Sequence, residues 1–141
     1  ETGMQERIRE LLPGRCEFTG YVSHREAVRA IAQSDINLIA LPVDRKTSYH
    51  VPGKLFEYLA AGRPILAIAP RGETARIVES TRTGMVVSHD EASRLSEELR
   101  RVIPALAASG GRAADTKAIA EFERKNLTGR LARVLDEVCG G

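Results

Sequence analysis

At 141 residues the chain is about one domain long, enough to close a continuous hydrophobic core. Apolar residues make up 43% and charged residues 28%, the balance of an ordinary globular protein, and no apolar run approaches the ~18–20 residues of a membrane-spanning helix. A formal charge of +2, spread over interleaved acids and bases, with no Trp, three Phe and three Tyr, argues against a nucleic-acid partner: there is neither a basic patch nor a stacking platform.

In chain order, Met4 to Leu12 reads as a helix closed by Pro13-Gly14, and this opening stretch is too polar for a secretory signal. A short strand is predicted over Cys16 to Thr19, ending at Gly20. Ser23-His24-Arg25-Glu26 has the form of a capping box, in which the Ser hydroxyl accepts a first-turn amide and Glu26 reaches back. Ala27, Val28, Ile31 and Ala32 then share one helical face. Ile36 to Leu41 is an apolar run of strand length, and Pro42 to Val51 is the loop at its carboxyl end. A helix is predicted from Gly53 to Ala61, with Leu55, Phe56, Leu59 and Ala60 facing the core and Gly62 at the C′ position.

Pro64 to Ala69 is the next buried strand, Glu73 to Ser80 a helix, and Met85 to Val87 a further short strand. Asp90 caps a helix lined by Leu95, Leu99, Val102, Ile103 and Leu106, which Pro104 is expected to kink or end. A short helix through Ala114 to Glu121 and a last helix with the stripe Leu127, Leu131, Val134, Leu135 and Val138 complete the chain. Four strands alternating with helices predict a Rossmann-like α/β fold: a parallel sheet covered on both faces. Such sheets start on a strand and this chain starts on a helix. At least one βα unit is therefore expected upstream, making residues 1–141 a single, truncated domain with an open sheet edge able to self-associate. Cys16 and Cys139 lack metal-ligand spacing and read as reduced thiols of a cytoplasmic protein.

The stretch Val51 to Val87 carries the most information. Glu57-Tyr58-Leu59-Ala60-Ala61-Gly62-Arg63-Pro64-Ile65-Leu66-Ala67 resembles the donor-binding segment of retaining GT-B glycosyltransferases of the group 1, family 4-like type. Glu17 to Ser23 and Ser34 to Leu38 match two further pieces of that pattern, so the resemblance runs from Glu17 onward. It implies the C-terminal half of a GT-B fold and transfer of a sugar from a UDP- or GDP-type nucleotide diphosphate sugar to an acceptor, with retention. It also implies no obligatory metal or other cofactor, a separate acceptor-binding domain, a fragment inactive by itself, and, for the full-length enzyme of polysaccharide biosynthesis, peripheral membrane association.

The donor-binding positions implied by the resemblance are Tyr21, Val22, Tyr49, His50, Gly53, Lys54, Leu55 and Glu57. Elementary chemistry fits them. Ligands of open α/β sheets bind beyond the strands' carboxyl ends, and a helix start offers unpaired amides to a diphosphate. Gly53, without a Cβ, lets phosphates approach the backbone, with the Lys54 cation beside them. Glu57, an acceptor only, suits a ribose diol that donates twice. By helix position alone Lys54 and Glu57 form an i,i+3 surface pair, Tyr21 is an amphipathic rim residue and His50 a solvated loop histidine. Arg45 and Lys46 are weaker phosphate candidates, and Arg71-Gly72-Glu73 reads as a turn with an acid at a helix start. One departure stands out: members with two glutamates seven residues apart carry the first where this chain has Tyr49, a phenol that holds no charge near pH 7. That leaves open a GT-B-like sugar-nucleotide epimerase or an inactive homologue. A flavodoxin-like signalling module is the reading from another class, but the strand ends Gly20, Pro42-Val43-Asp44 and Pro70 offer only one acid.

Overall fold

The computed structural model describes residues 3–42, 48–88, 92–110 and 114–140; Arg45, Lys46 and the Asp90 cap lie outside the described residues. The elements are α1 (Gly3–Leu11), α2 (His24–Gln33), β1 (Asn37–Ala40), α3 (Lys54–Ala61), β2 (Ile65–Ile68), α4 (Glu73–Ser80), β3 (Gly84–Val87), α5 (Ala92–Ser109), α6 (Thr116–Ala120) and α7 (Arg124–Cys139). The strands form a parallel sheet in the order β1-β2-β3, with Asn37 opposite Ile65 and Ile65 opposite Gly84. Each successive pair is joined through a helix, as parallel pairing requires.

Side chains alternate across a strand, so the central strand feeds two cores. Ile65, Ala67 and Ala69 pack with Ile39, Leu41, Leu55, Leu59, Ile77 and Val78, placing α3 and α4 on one face. Leu66 points the other way, to Val87, Val102 and Leu106 under α5. α5 packs on β2 and β3, and on that face Leu38 of β1 is 53% exposed. The capping box of α2 forms as predicted: the Ser23 Oγ accepts from the Glu26 amide at 3.3 Å and donates to the Glu26 carboxylate at 2.6 Å. At the end of α3, Gly62 takes a left-handed φ of 66°, the conformation only glycine adopts without cost.

Several expectations are corrected. Cys16 to Thr19 forms no strand; the segment is mostly exposed and pairs with no strand of the sheet, and a short segment becomes a strand only when a neighbour takes its backbone groups. The described sheet therefore has three strands, not four, and β1 pairs on one side only. α5 does not end at Pro104 but continues to Ser109: only one amide is lost there, and Val102 and Leu106 anchor the helix on either side. Of the predicted core face of α3, only Leu55 and Leu59 are buried; Phe56 and Ala60 are turned away from the sheet. The apolar stripe of α7 is exposed along its length.

Candidate functional site

In a sheet connected this way, helix N-termini gather at the strands' carboxyl end. The chain leaves β1 at Leu41 and returns at Ser48 to lie against the start of α4. There the buried Thr74 hydroxyl donates to the His50 carbonyl at 2.7 Å. Gly72, in extended backbone (φ 169°), lies so close to Ser48 that an added Cβ would overlap the Ser48 carbonyl oxygen and come within 2.7 Å of its Cα. The Arg71-Gly72-Glu73 turn thus has a structural task, locating residues 48–51; Glu73 also pairs with Arg76, which holds its carboxyl below the usual range. Val51 then packs on the main core and Pro52-Gly53 opens α3.

α3 divides along its length. Leu55 (0% exposed) and Leu59 (3%) are embedded in the core. Gly53, Phe56, Glu57 and Ala60 instead line an open cleft of about 640 Å³. Its other walls are His24, the first residue of α2, and Phe122, Arg124 and Leu127 around the start of α7. Phe56 and Phe122 meet with ring centroids 6.2 Å apart. The cleft therefore combines three helix starts, one carboxylate, an imidazole, a guanidinium and an apolar floor. Such a set can accept hydrogen bonds from hydroxyls at Glu57 and offer positive potential to an anion.

Of the sequence-predicted residues, the structure brings Gly53 and Glu57 into this cleft. Gly53 is helical (φ −53°, ψ −33°), and a Cβ there would meet no atom within 4 Å. The fold does not require a glycine at this point; the space in front of it is open. Lys54 is exposed beside it and forms no ion pair with Glu57 among the described residues, so the surface pair is not made. Leu55 belongs to the core, and its amide already donates to the Pro52 carbonyl at 2.9 Å. Tyr21 is fully exposed, Val22 is half-buried just before the α2 cap, Tyr49 is 86% exposed and His50 is exposed; none of the four lines the cleft. Tyr58, next to Glu57, has its phenol pushed up, first by burial and then by the Glu57 charge.

His24, Phe122 and Arg124 were missed by sequence reasoning. The signal for His24 was available, since the residue after an N-cap serine stands at the mouth of its helix. Phe122 and Arg124 reach the cleft only through the packing of α6 and α7, which spacing does not reveal. Among the described residues no group of three His, Cys, Asp or Glu is placed to hold a metal ion, and no helix is long and apolar enough to cross a membrane. Cys16 and Cys139 are both free and exposed.

A parallel sheet with helices on both faces and helix starts gathered at one end defines the Rossmann-like α/β class, here as a small half-domain of the GT-B type. The sequence model of the family described as "Glycosyl transferases group 1" matches residues 2–104. The chain belongs to this glycosyltransferase family, and the match runs from α1 into α5, leaving α6 and α7 beyond it. No curated protein and no solved structure matches the chain.

Proposed function

We propose that the chain is a donor-binding domain of a glycosyltransferase that moves a sugar from a UDP- or GDP-type donor to an acceptor held by a separate domain, with retention. The observation that carries this reading is the cleft at the start of α3, where Gly53 and Glu57 face one open space. The Gly53 and Lys54 backbone, the positive end of α3 and the Lys54 ammonium receive the diphosphate. Glu57 accepts from the ribose hydroxyls, each charge-assisted bond contributing about 1.5–3 kcal/mol. Tyr21, Val22, Tyr49 and His50 form the rim around the base and the sugar. As the bond between the anomeric carbon and the diphosphate oxygen breaks, its electron pair stays on the diphosphate, and the helix start and Lys54 stabilise that charge.

Calorimetric titration of the chain with UDP, GDP and their sugars tests the assignment. Binding is expected with one base preferred, and with no turnover by the chain alone. Affinity is expected to fall in both Glu57→Ala and Lys54→Ala; binding unchanged by both substitutions removes the site from α3. The exposed Tyr49, standing where related members carry a glutamate, supports a second reading, a homologue that binds the donor without transferring the sugar. In that case the protein joined to its acceptor domain binds the nucleotide sugar and releases no free UDP or GDP.

A further inference from the structure

Phe56, Phe122 and Arg124 line the cleft but take no part in the diphosphate and ribose contacts. Arg124 is the first residue of α7, whose first turn holds no acid. A cation at a helix start is opposed by the helix dipole, so the fold gains nothing from one there. The Arg124 guanidinium also makes no hydrogen bond or ion pair among the described residues. It brings a planar fork of unengaged donors to the cleft.

Phe122 fixes which end of the cleft that fork serves. Its ring meets Phe56 with centroids 6.2 Å apart, so the start of α7 lies on the Phe56 side of α3. Lys54, two residues before Phe56, points about 160° away around the helix axis. Ammonium and guanidinium therefore serve different ends of a ligand lying across α3. Diphosphate, ribose and base follow one another in a nucleotide. With the first at Gly53 and Lys54 and the second at Glu57, the third falls on the Phe56 and Phe122 side. There the two rings, tilted by 41° and with Phe56 38% exposed, offer an apolar floor to a planar ring.

We propose, resting on the donor-site reading of α3, that this base is guanine, lying on Phe56 and Phe122 with the Arg124 fork donating to its O6 and N7. Those two atoms are neighbouring acceptors on one edge, the arrangement a guanidinium engages twice. Adenine sets an amino donor beside N7, and uracil alternates acceptor, donor and acceptor across O2, N3 and O4. Each of them meets the fork with a single acceptor.

Calorimetry on the chain with GDP and UDP reads the choice of base as a ratio of affinities. GDP is expected to bind about ten- to a hundredfold tighter than UDP, the worth of one bidentate contact. Arg124→Gln, at an exposed position, is expected to bring GDP down to the level of UDP and to leave UDP where it was. Arg124→Lys keeps the charge without the fork and is expected to lose most of the preference as well. Phe122→Leu, apolar but without an aromatic face, is expected to weaken both nucleotides severalfold, roughly the loss of one stacked ring; unchanged binding in it removes the base from this floor. UDP bound as tightly as GDP, by a protein in which Glu57→Ala still weakens both, overturns guanine and leaves the donor site standing. Equal losses of GDP and UDP in Arg124→Gln put the guanidinium on the diphosphate, and a preference that survives Arg124→Gln puts the choice of base elsewhere. Either result overturns the assignment of Arg124. If neither nucleotide binds, the donor site itself falls and guanine falls with it.

Discussion

Two glycines near the carboxyl end of the sheet separate what the fold needs from what a ligand needs. At Gly53 the backbone is helical and a Cβ would meet nothing within 4 Å. Gly53→Ala is therefore expected to leave folding unharmed, or to raise stability by about 0.4–1 kcal/mol through a less flexible unfolded chain. If a diphosphate rests against the Gly53 and Lys54 backbone, the added methyl occupies its place. Losing one charge-assisted hydrogen bond then lowers nucleotide affinity about ten- to a hundredfold. Gly72→Ala is expected to behave differently. Its Cβ would come within 2.7 Å of the Ser48 Cα and overlap the carbonyl, and no rotamer relieves a backbone contact. The Ser48 Cα alone has to withdraw by about 0.8 Å to reach ordinary van der Waals contact near 3.5 Å, and the closer carbonyl oxygen by more, at an overpacking cost of about 1–3 kcal/mol. Urea denaturation and calorimetry with UDP and GDP, run on both variants, give the four numbers. A Gly53→Ala protein with unchanged stability and unchanged affinity refutes the phosphate cradle; a Gly72→Ala protein as stable as the parent refutes the argument from space.

Three further predictions concern the surroundings of the site. Leu55→Ala removes a fully buried side chain from the core beneath α3 and is expected to cost about 2–5 kcal/mol in urea denaturation, the largest loss of any variant named here. The Glu26 carboxyl is held below its ordinary 4.5, first by the Ser23 hydroxyl and then by the Ser23 amide, and Glu73 is held down chiefly by Arg76. Both pKa values are depressed in the folded state, so their stabilisation is complete above the unfolded value and is lost as pH falls through the folded one. Thermal unfolding is expected to be flat near neutrality and to fall below about pH 4.5, and Ser23→Ala to shrink that dependence. The raised Tyr58 phenol follows the opposite limb: its folded pKa lies above 10.0, so stability begins to fall as pH rises through 10.0. In Glu57→Gln its ultraviolet titration is expected to move toward lower pH, since one of the two causes is gone; an unmoved titration means the Glu57 charge does not reach the phenol.

What could be read in advance divides by the range of the interaction that decides it. β1, β2 and β3 are short apolar runs bounded by loops, α2 begins with a complete capping box and α3 ends on a left-handed glycine. All of these are local, and all are visible in the sequence. Cys16 to Thr19 is of strand length but less apolar and has no strand beside it, and pairing is not a property of one segment. The α7 stripe was legible as a stripe; which surface covers it was not. The cleft shows the same division. Gly53 and Glu57 follow from one helix and its resemblance, whereas His24 and Arg124 come from elements 29 residues before and 71 residues after Gly53 and meet it only in three dimensions.

If the open face of α3 holds the donor, its two faces allow fold and binding to be perturbed apart. Leu55 and Leu59 fix the helix axis against the sheet, and Gly53, Phe56, Glu57 and Ala60 carry nothing the core uses. Two restraints fix how the chain enters the helix. The Thr74 hydroxyl holds the His50 carbonyl at 2.7 Å, and Gly72 leaves Ser48 just enough room to lie against α4. A buried threonine whose hydroxyl serves a neighbouring loop has a removable contribution. In Thr74→Val the shape is kept but the His50 carbonyl loses its donor, at about 1–3 kcal/mol if it stays dry and less if water replaces the hydroxyl. Because α3 itself remains anchored by its leucines, the helix start survives the change while residues 48–51 loosen. If the donor lies as proposed, UDP, which does not depend on Tyr49 and His50, is then expected to bind nearly as before, and a UDP sugar, whose sugar would extend toward those two residues, to lose its additional affinity. Equal losses for both ligands would mean that the loop and the helix start move as one body, and the division of labour argued for α3 would fail.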